Sequence, residues 1–155
     1  MSKPETQNLI KELIEKTGVS VSEISIIEDS DKIWFKVEVA EPHFFISREG
    51  EGLHALNHLV RKMVETKMEE AADILIDING FQKKRIEGVE AMAHMMAERA
   101  RYFKSNVEVN PMSAFERRIV HEFLSKENDL ETESVGFGPS RRVVIKYKGD
   151  SKDLV

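Results

Sequence analysis

Arg117 and His121 stand four residues apart in the run Asn110-Pro-Met-Ser-Ala-Phe-Glu-Arg-Arg-Ile-Val-His121. On a helix that spacing places both on one face, with Arg118 beside them in sequence. Further along, Gly136-Phe-Gly-Pro-Ser-Arg-Arg-Val-Val-Ile-Lys-Tyr147 gathers Arg141, Arg142, Lys146 and Lys148 within one hairpin. A third basic run, Lys83-Lys84-Arg85, opens a long helical pattern. Arginine presents a planar fork of donors that suits phosphate oxygens, and histidine donates a further hydrogen bond. Anion binding is the chemistry these residues offer. The spacing alone is equally compatible with an exposed pair or with a contact to the strands that follow.

Other groupings offer less. His54 and His58 are one turn apart, a spacing that can chelate a metal, but Ala-Leu-Asn lies between them and no third ligand is evident. His121 and Glu122 are consecutive and project about 100° apart on a helix, and no carboxylate cluster or activated nucleophile accompanies them. An enzyme is therefore not expected, and no cofactor or metal follows from the sequence. Trp34 alternates outward on its strand and is expected to pack under a neighbouring helix. Met92, Met95 and Met96 are expected to pack in the interior or at an interface.

The elements that must position these groups are legible from periodicity. Ser2-x-x-Glu5 is a capping box ahead of Leu9, Ile10, Leu13 and Ile14, with Gly18 as the stop. Ile24–Ile27 and Ile33–Val39 read as two strands of a hairpin. A short apolar piece, Phe44-Phe45-Ile46, leads into the loop Ser47–Gly52. Leu53, Leu56, Val60 and Met63 mark a helix, and Ile74–Ile78 a buried strand ended by Asn79-Gly80. A long helix runs from Phe81 to Phe103, then Val107 and Val109 suggest a short strand. Ser113-x-x-Glu116 is a second capping box. Strands near Thr132–Val135 and Arg142–Tyr147 close the pattern. The order α-β-β-α-β, α-β-α-β-β is of the α+β class. We expect domains at 1–80 and 81–149, joined by the long helix, and a disordered tail at 150–155.

Composition sets bounds. The chain has 155 residues, 41% of them hydrophobic, enough for a core. It lacks cysteine, which excludes disulfides and fits a reducing compartment. The first residues carry no basic segment followed by an apolar one, so no signal peptide is expected. No apolar run approaches the roughly 20 residues that cross a bilayer, and a cytoplasmic protein without membrane insertion is expected. The net charge of -5 works against phosphate binding by the molecule as a whole. A local basic face can still bind while acids elsewhere act on solubility.

The run from Asn110 to His121, then Glu131-Thr-Glu-Ser134 and Pro139-Ser-Arg-Arg-Val-Val-Ile145, resembles the R-3-H domain of the bacterial Jag (KhpB) family. The name describes an Arg, three residues and a His, here Arg117 and His121. Ile78-Asn-Gly-Phe-Gln-Lys-Lys-Arg85 is similar to the family's segment between its two domains. Phe45-Ile-Ser-Arg-Glu-Gly-Glu-Gly-Leu-His-Ala-Leu56 is similar to its type II KH loop and helix. The resemblance runs from about residue 20 to 148 and implies a KH type II-like domain followed by a small R-3-H domain.

It also implies a protein that binds single-stranded RNA, with single-stranded DNA left open, and a post-transcriptional role in bacteria. The implied contacts are Arg117 and His121, with Arg118, Arg141, Arg142, Lys146, Lys84 and Arg85 shaping the field. Adjacent arginines diverge, so one of each pair can face away. A KH loop reads Gly-x-x-Gly to bring backbone against phosphate. Here it reads Ser47-Arg48-Glu49-Gly50. A side chain at Ser47 and the charge of Glu49 are expected to weaken that clamp. The rival reading is an interaction module whose KH-like half forms a homodimer or pairs with a second small KH protein.

Overall fold

A computed structural model describes residues 1–67 and 73–149. The tail expected at 150–155 lies outside the described residues. The order is α1 (Lys3–Lys16), β1 (Val21–Asp29), β2 (Lys32–Val39), α2 (His43–Glu65), β3 (Asp73–Ile78), α3 (Phe81–Phe103), β4 (Val107–Glu108), α4 (Ala114–Leu124), β5 (Leu130–Val135) and β6 (Arg142–Tyr147). The class is α+β with two three-stranded sheets. The chain divides into two compact units, Met1–Lys84 and Arg85–Val155, and the division falls in the first turn of α3.

In the first unit β1 pairs antiparallel with β2, and β2 pairs parallel with β3. A parallel pair needs a crossover, which α2 supplies. Phe35, Val37 and Val39 of β2 alternate inward with period two and meet Ile10 and Ile14 of α1, Leu53 and Val60 of α2, and Ile76 and Ile78 of β3. Trp34 sits on the opposite face, half-buried. The buried Asn57 acts as a substitute strand for β3. Its side chain accepts from the Ile76 N–H at 2.8 Å and donates to the Ile76 carbonyl at 3.0 Å. Two backbone groups that would otherwise be unpaired are thereby satisfied. Asp77, one residue before the end of β3, accepts from the Gln82 and Lys83 N–H groups, capping α3.

The expected apolar piece at 44–46 is in fact helical. His43–Ile46 form the first turn of α2, with the Phe45 and Ile46 N–H groups donating to the Pro42 carbonyl. One turn is too short to show a period. The helix breaks at 47–50 and resumes to Glu65. At the break Arg48, Glu49 and Gly50 are all left-handed, with φ of 52°, 60° and 80°. A Cβ at Gly50 would lie 2.5 Å from the Phe81 ring.

In the second unit the sheet order is β4-β6-β5, all antiparallel. Ala93, Ala97 and Ala100 give α3 a thin inner face, which packs with Val120 and Leu124 of α4 and with Leu130, Val143 and Ile145 of the sheet. Arg101 clasps this unit from its rim. It donates to both carboxylate oxygens of Asp129, at 2.6 and 2.9 Å, and to Glu98 and Glu127. Of the methionines expected in the interior or at an interface, Met92 and Met96 pack against this core, and Met95 is 60% exposed. It stands on the outer face of α3, away from the alanines.

Candidate nucleic-acid interface

Helix α4 carries Arg117 and His121, and its start is fixed from both sides. Ser113 Oγ accepts from the Glu116 N–H, and Glu116 accepts from the Ser113 N–H at 3.0 Å. The other oxygen of Glu116 takes Arg85 Nη2 at 3.1 Å. Desolvation pushes the Glu116 carboxyl up, but the Ser113 N–H and the Arg85 charge outweigh it and leave the group below its ordinary value. Arg85 is thus held by a carboxylate and ties α3 to the α4 cap.

His121 bridges α4 to β5. Nδ1 lies 2.6 Å from Thr132 Oγ1 and Nε2 lies 2.8 Å from Ser134 Oγ. Thr132 and Ser134 share the face of β5 that buries Leu130, so strand alternation aims both hydroxyls at the helix. Partial burial, and then the Arg117 charge, lower the imidazole pKa from its usual value. That direction favours the neutral ring, which donates through one nitrogen and accepts through the other.

Arg117 sits one turn earlier. Its Nη1 donates to the Met112 carbonyl at 2.8 Å. The Met112 N–H in turn donates to the Arg141 carbonyl at 3.3 Å. Arg141 Nη1 donates to the Gly136 carbonyl at 3.0 Å. Met112 therefore links the two arginines, and neither meets a carboxylate among the described residues. Both side chains are half-buried and partly open to solvent.

The remaining basic candidates are placed differently. The register pairs Arg142 with Val135 and Lys146 with Glu131, on the face opposite Val143 and Ile145. There Arg142 Nε donates to Glu108 at 3.1 Å, and Lys146 forms a close ion pair with Glu133. Arg118 Nε pairs with Glu122 at 3.0 Å along the exposed side of α4. Lys84 is exposed in the first unit. Ser47, Arg48 and Glu49 are exposed in that unit too, whereas Gly50 is buried. The structure thus leaves Arg117 and Arg141 on carbonyl oxygens, with His121 one turn from Arg117, and sets Arg118, Arg142 and Lys146 against carboxylates. His54 and His58 are exposed, and no group of three metal-ligating side chains occurs among the described residues. No described helix is long and apolar enough to cross a membrane.

Sequence reasoning gave no role to Met112, Thr132 or Ser134. Met112 holds the two arginines through its backbone, which no residue type reveals. The two hydroxyls had a usable signal: polar residues continuing, at period two, the buried face begun by Leu130.

The run that holds this arrangement, residues 87–147, matches the family model of the R-3-H domain. The second unit carries an R-3-H domain. Similarity to curated proteins reaches further along the chain. It is 29% identical over 107 residues to the RNA-binding protein KhpB of Clostridium symbiosum, covering 69% of this chain and 48% of that protein. It is 24% identical over 129 residues to the protein of the same name from Bacillus subtilis, covering 82% and 62%. For that of Streptococcus pneumoniae the figures are 26% over 110 residues, 71% and 34%. The chain thus spans from about a third to under two thirds of these relatives' own lengths. Within the R-3-H domain, the Arg and His that give the family its name are a guanidinium held by the Met112 carbonyl and an imidazole whose two nitrogens both hold β5.

Proposed function

We propose that the chain binds single-stranded RNA, with backbone phosphate taken by Arg117 and Arg141 and with His121 as the strut that holds the binding helix. One observation carries the reading. Arg117 and Arg141 are joined through Met112 and face only carbonyl oxygens, whereas Arg85, Arg101, Arg118 and Arg142 each face a carboxylate. An arginine held by a carbonyl keeps its full charge and most of its donors for an incoming anion. The R-3-H match and the printed names of the relatives, RNA-binding protein KhpB, support RNA as the ligand class. A post-transcriptional role in a bacterium follows the same resemblance.

The first unit supports the finer reading of a type II KH domain. Its order is α-β-β-α-β with α2 broken by an exposed loop at the position of the KH motif. Ser47 occupies ordinary extended backbone, φ -63° and ψ 160°, so serine there costs no strain. The side chains of Ser47 and Glu49 at the loop surface still weaken a phosphate clamp, which leaves the main contact to the R-3-H half.

The test is binding of a fluorescent single-stranded RNA across a salt series. Each neutralised phosphate on a single strand contributes about 0.7 to the slope of log affinity against log salt. Arg117→Ala/Arg141→Ala is expected to lose binding and about 1.4 of that slope. Arg118→Ala/Arg142→Ala is expected to change both far less. Equal losses in the two double variants would refute the assignment.

A further inference from the structure

We propose that Phe137 is a stacking platform for an unpaired nucleobase of the strand whose phosphate lies on Arg117 and Arg141. Phe137 is 89% exposed, more than any other large hydrophobic side chain among the described residues. It stands in the β5–β6 connection, immediately after the Gly136 carbonyl that receives Arg141 Nη1. Phe137 is therefore the next residue after the carbonyl that anchors one of the two guanidinium groups assigned to phosphate, and it lies two residues beyond β5, which His121 fastens through Ser134.

The connection is built to hold the ring outward. Gly136 has φ +87°, and a Cβ there would lie 2.9 Å from the Ser140 carbonyl, so only glycine fits. A 3-10 turn follows at Gly138–Ser140. The Ser140 N–H and hydroxyl both donate to the Phe137 carbonyl, at 3.2 and 2.8 Å, and the Arg141 N–H donates to the Gly138 carbonyl at 3.1 Å. With its own backbone extended and its carbonyl doubly bonded, Phe137 is fixed on a short, tight turn. No described ring packs against it. An apolar ring kept in water on the turn that anchors an unneutralised guanidinium group matches the two needs of a single strand, a positive track for the backbone and an aromatic face for a base. Duplex nucleic acid keeps its bases stacked internally and offers no such face. The ligand class is therefore an unpaired base, with no hydrogen-bond group in the ring to select among the four.

This inference rests on the phosphate reading above, and the experiment separates the two. Binding of a labelled single-stranded RNA is measured for the full chain, Phe137→Ala, Phe137→Trp and Arg117→Ala/Arg141→Ala, each checked for fold by circular dichroism. Phe137→Ala is expected to bind about 5- to 150-fold more weakly, the equivalent of roughly 1–3 kcal/mol, with an unchanged salt slope because no charge is lost. Phe137→Trp, made with Trp34→Phe so that one indole remains, is expected to retain affinity and to be quenched by RNA. Unchanged affinity in Phe137→Ala, with binding lost in the arginine double variant, would overturn the stacking role and leave the phosphate site standing. An indole that RNA does not quench would overturn it as well. Absence of binding by the unaltered chain would overturn both.

Discussion

His121 should matter to the R-3-H unit as a clasp, and the consequences are measurable without any ligand. His121→Ala removes two side-chain hydrogen bonds, of 2.6 and 2.8 Å, that fasten α4 to β5. Each such bond contributes about 0.5–1.5 kcal/mol net. Thr132 and Ser134 are only half-buried, so water replaces part of the loss, and we expect about 1–2 kcal/mol. For a unit of this size that lowers the melting midpoint by roughly 4–16 °C. The pH dependence adds a second signature. The folded-state pKa of His121 is depressed, by partial burial and then by Arg117. The unfolded chain therefore binds the proton more readily, and stability rises with pH across the window below about 6.5. This contribution is full above the unfolded pKa and is lost as pH falls through the folded one. Thermal melts of the unaltered chain and of His121→Ala between pH 5 and 7.5 read both effects. The variant should melt lower at pH 7.5, and its melting should depend less on pH. If it instead melts normally yet loses RNA affinity together with about 0.7 of the salt slope, His121 touches phosphate directly and the clasp is wrong.

Two further predictions concern the first unit. Asn57→Leu keeps the volume but leaves the Ile76 N–H and carbonyl without their partner. At about 1–3 kcal/mol for each unsatisfied buried group, urea unfolding should show a loss on the order of 2–5 kcal/mol, and a neutral result would mean that the edge of β3 finds another partner. Gly50→Ala meets both a left-handed backbone and the Phe81 ring at 2.5 Å. It should cost more than about 1 kcal/mol, whereas Ser47→Gly, at an ordinary conformation, should change stability by much less.

Much of this was legible in the sequence because the signals were local. Both capping boxes form as Ser2-x-x-Glu5 and Ser113-x-x-Glu116 suggest, and the long apolar period of α3 gives Phe81–Phe103. What stayed hidden needed distance. β1 extends to Asp29 although the apolar signal stops at Ile27, because backbone pairing with β2, not burial, keeps its exposed C-terminal end. The helical turn at His43–Ile46 is one turn long and shows no period.

The candidate site shows the same limit at the level of single side chains. Arg141 and Arg142 are adjacent and chemically identical, so composition ranks them equally. Strand geometry does not, since neighbours on a strand project to opposite faces. Arg142 emerges on the face where Glu108 of β4 waits for it, and the pairing exists only because β4 and β6 are adjacent in the sheet. Arg141 emerges where Gly136 offers a carbonyl. The helix repeats the division, sending Arg118 to Glu122 and Arg117 to Met112. Two pairs of adjacent arginines thus each contribute one neutralised and one available guanidinium, and the available two are those joined through Met112. On the proposed reading, a chain of net charge -5 presents a phosphate site without a broad basic surface: its acids neutralise Arg118, Arg142 and Lys146 and leave Arg117 and Arg141 on carbonyls. Selectivity for a strand over other polyanions then falls to an aromatic face, and the proposed one is the exposed ring of Phe137, on the turn whose Gly136 carbonyl anchors Arg141.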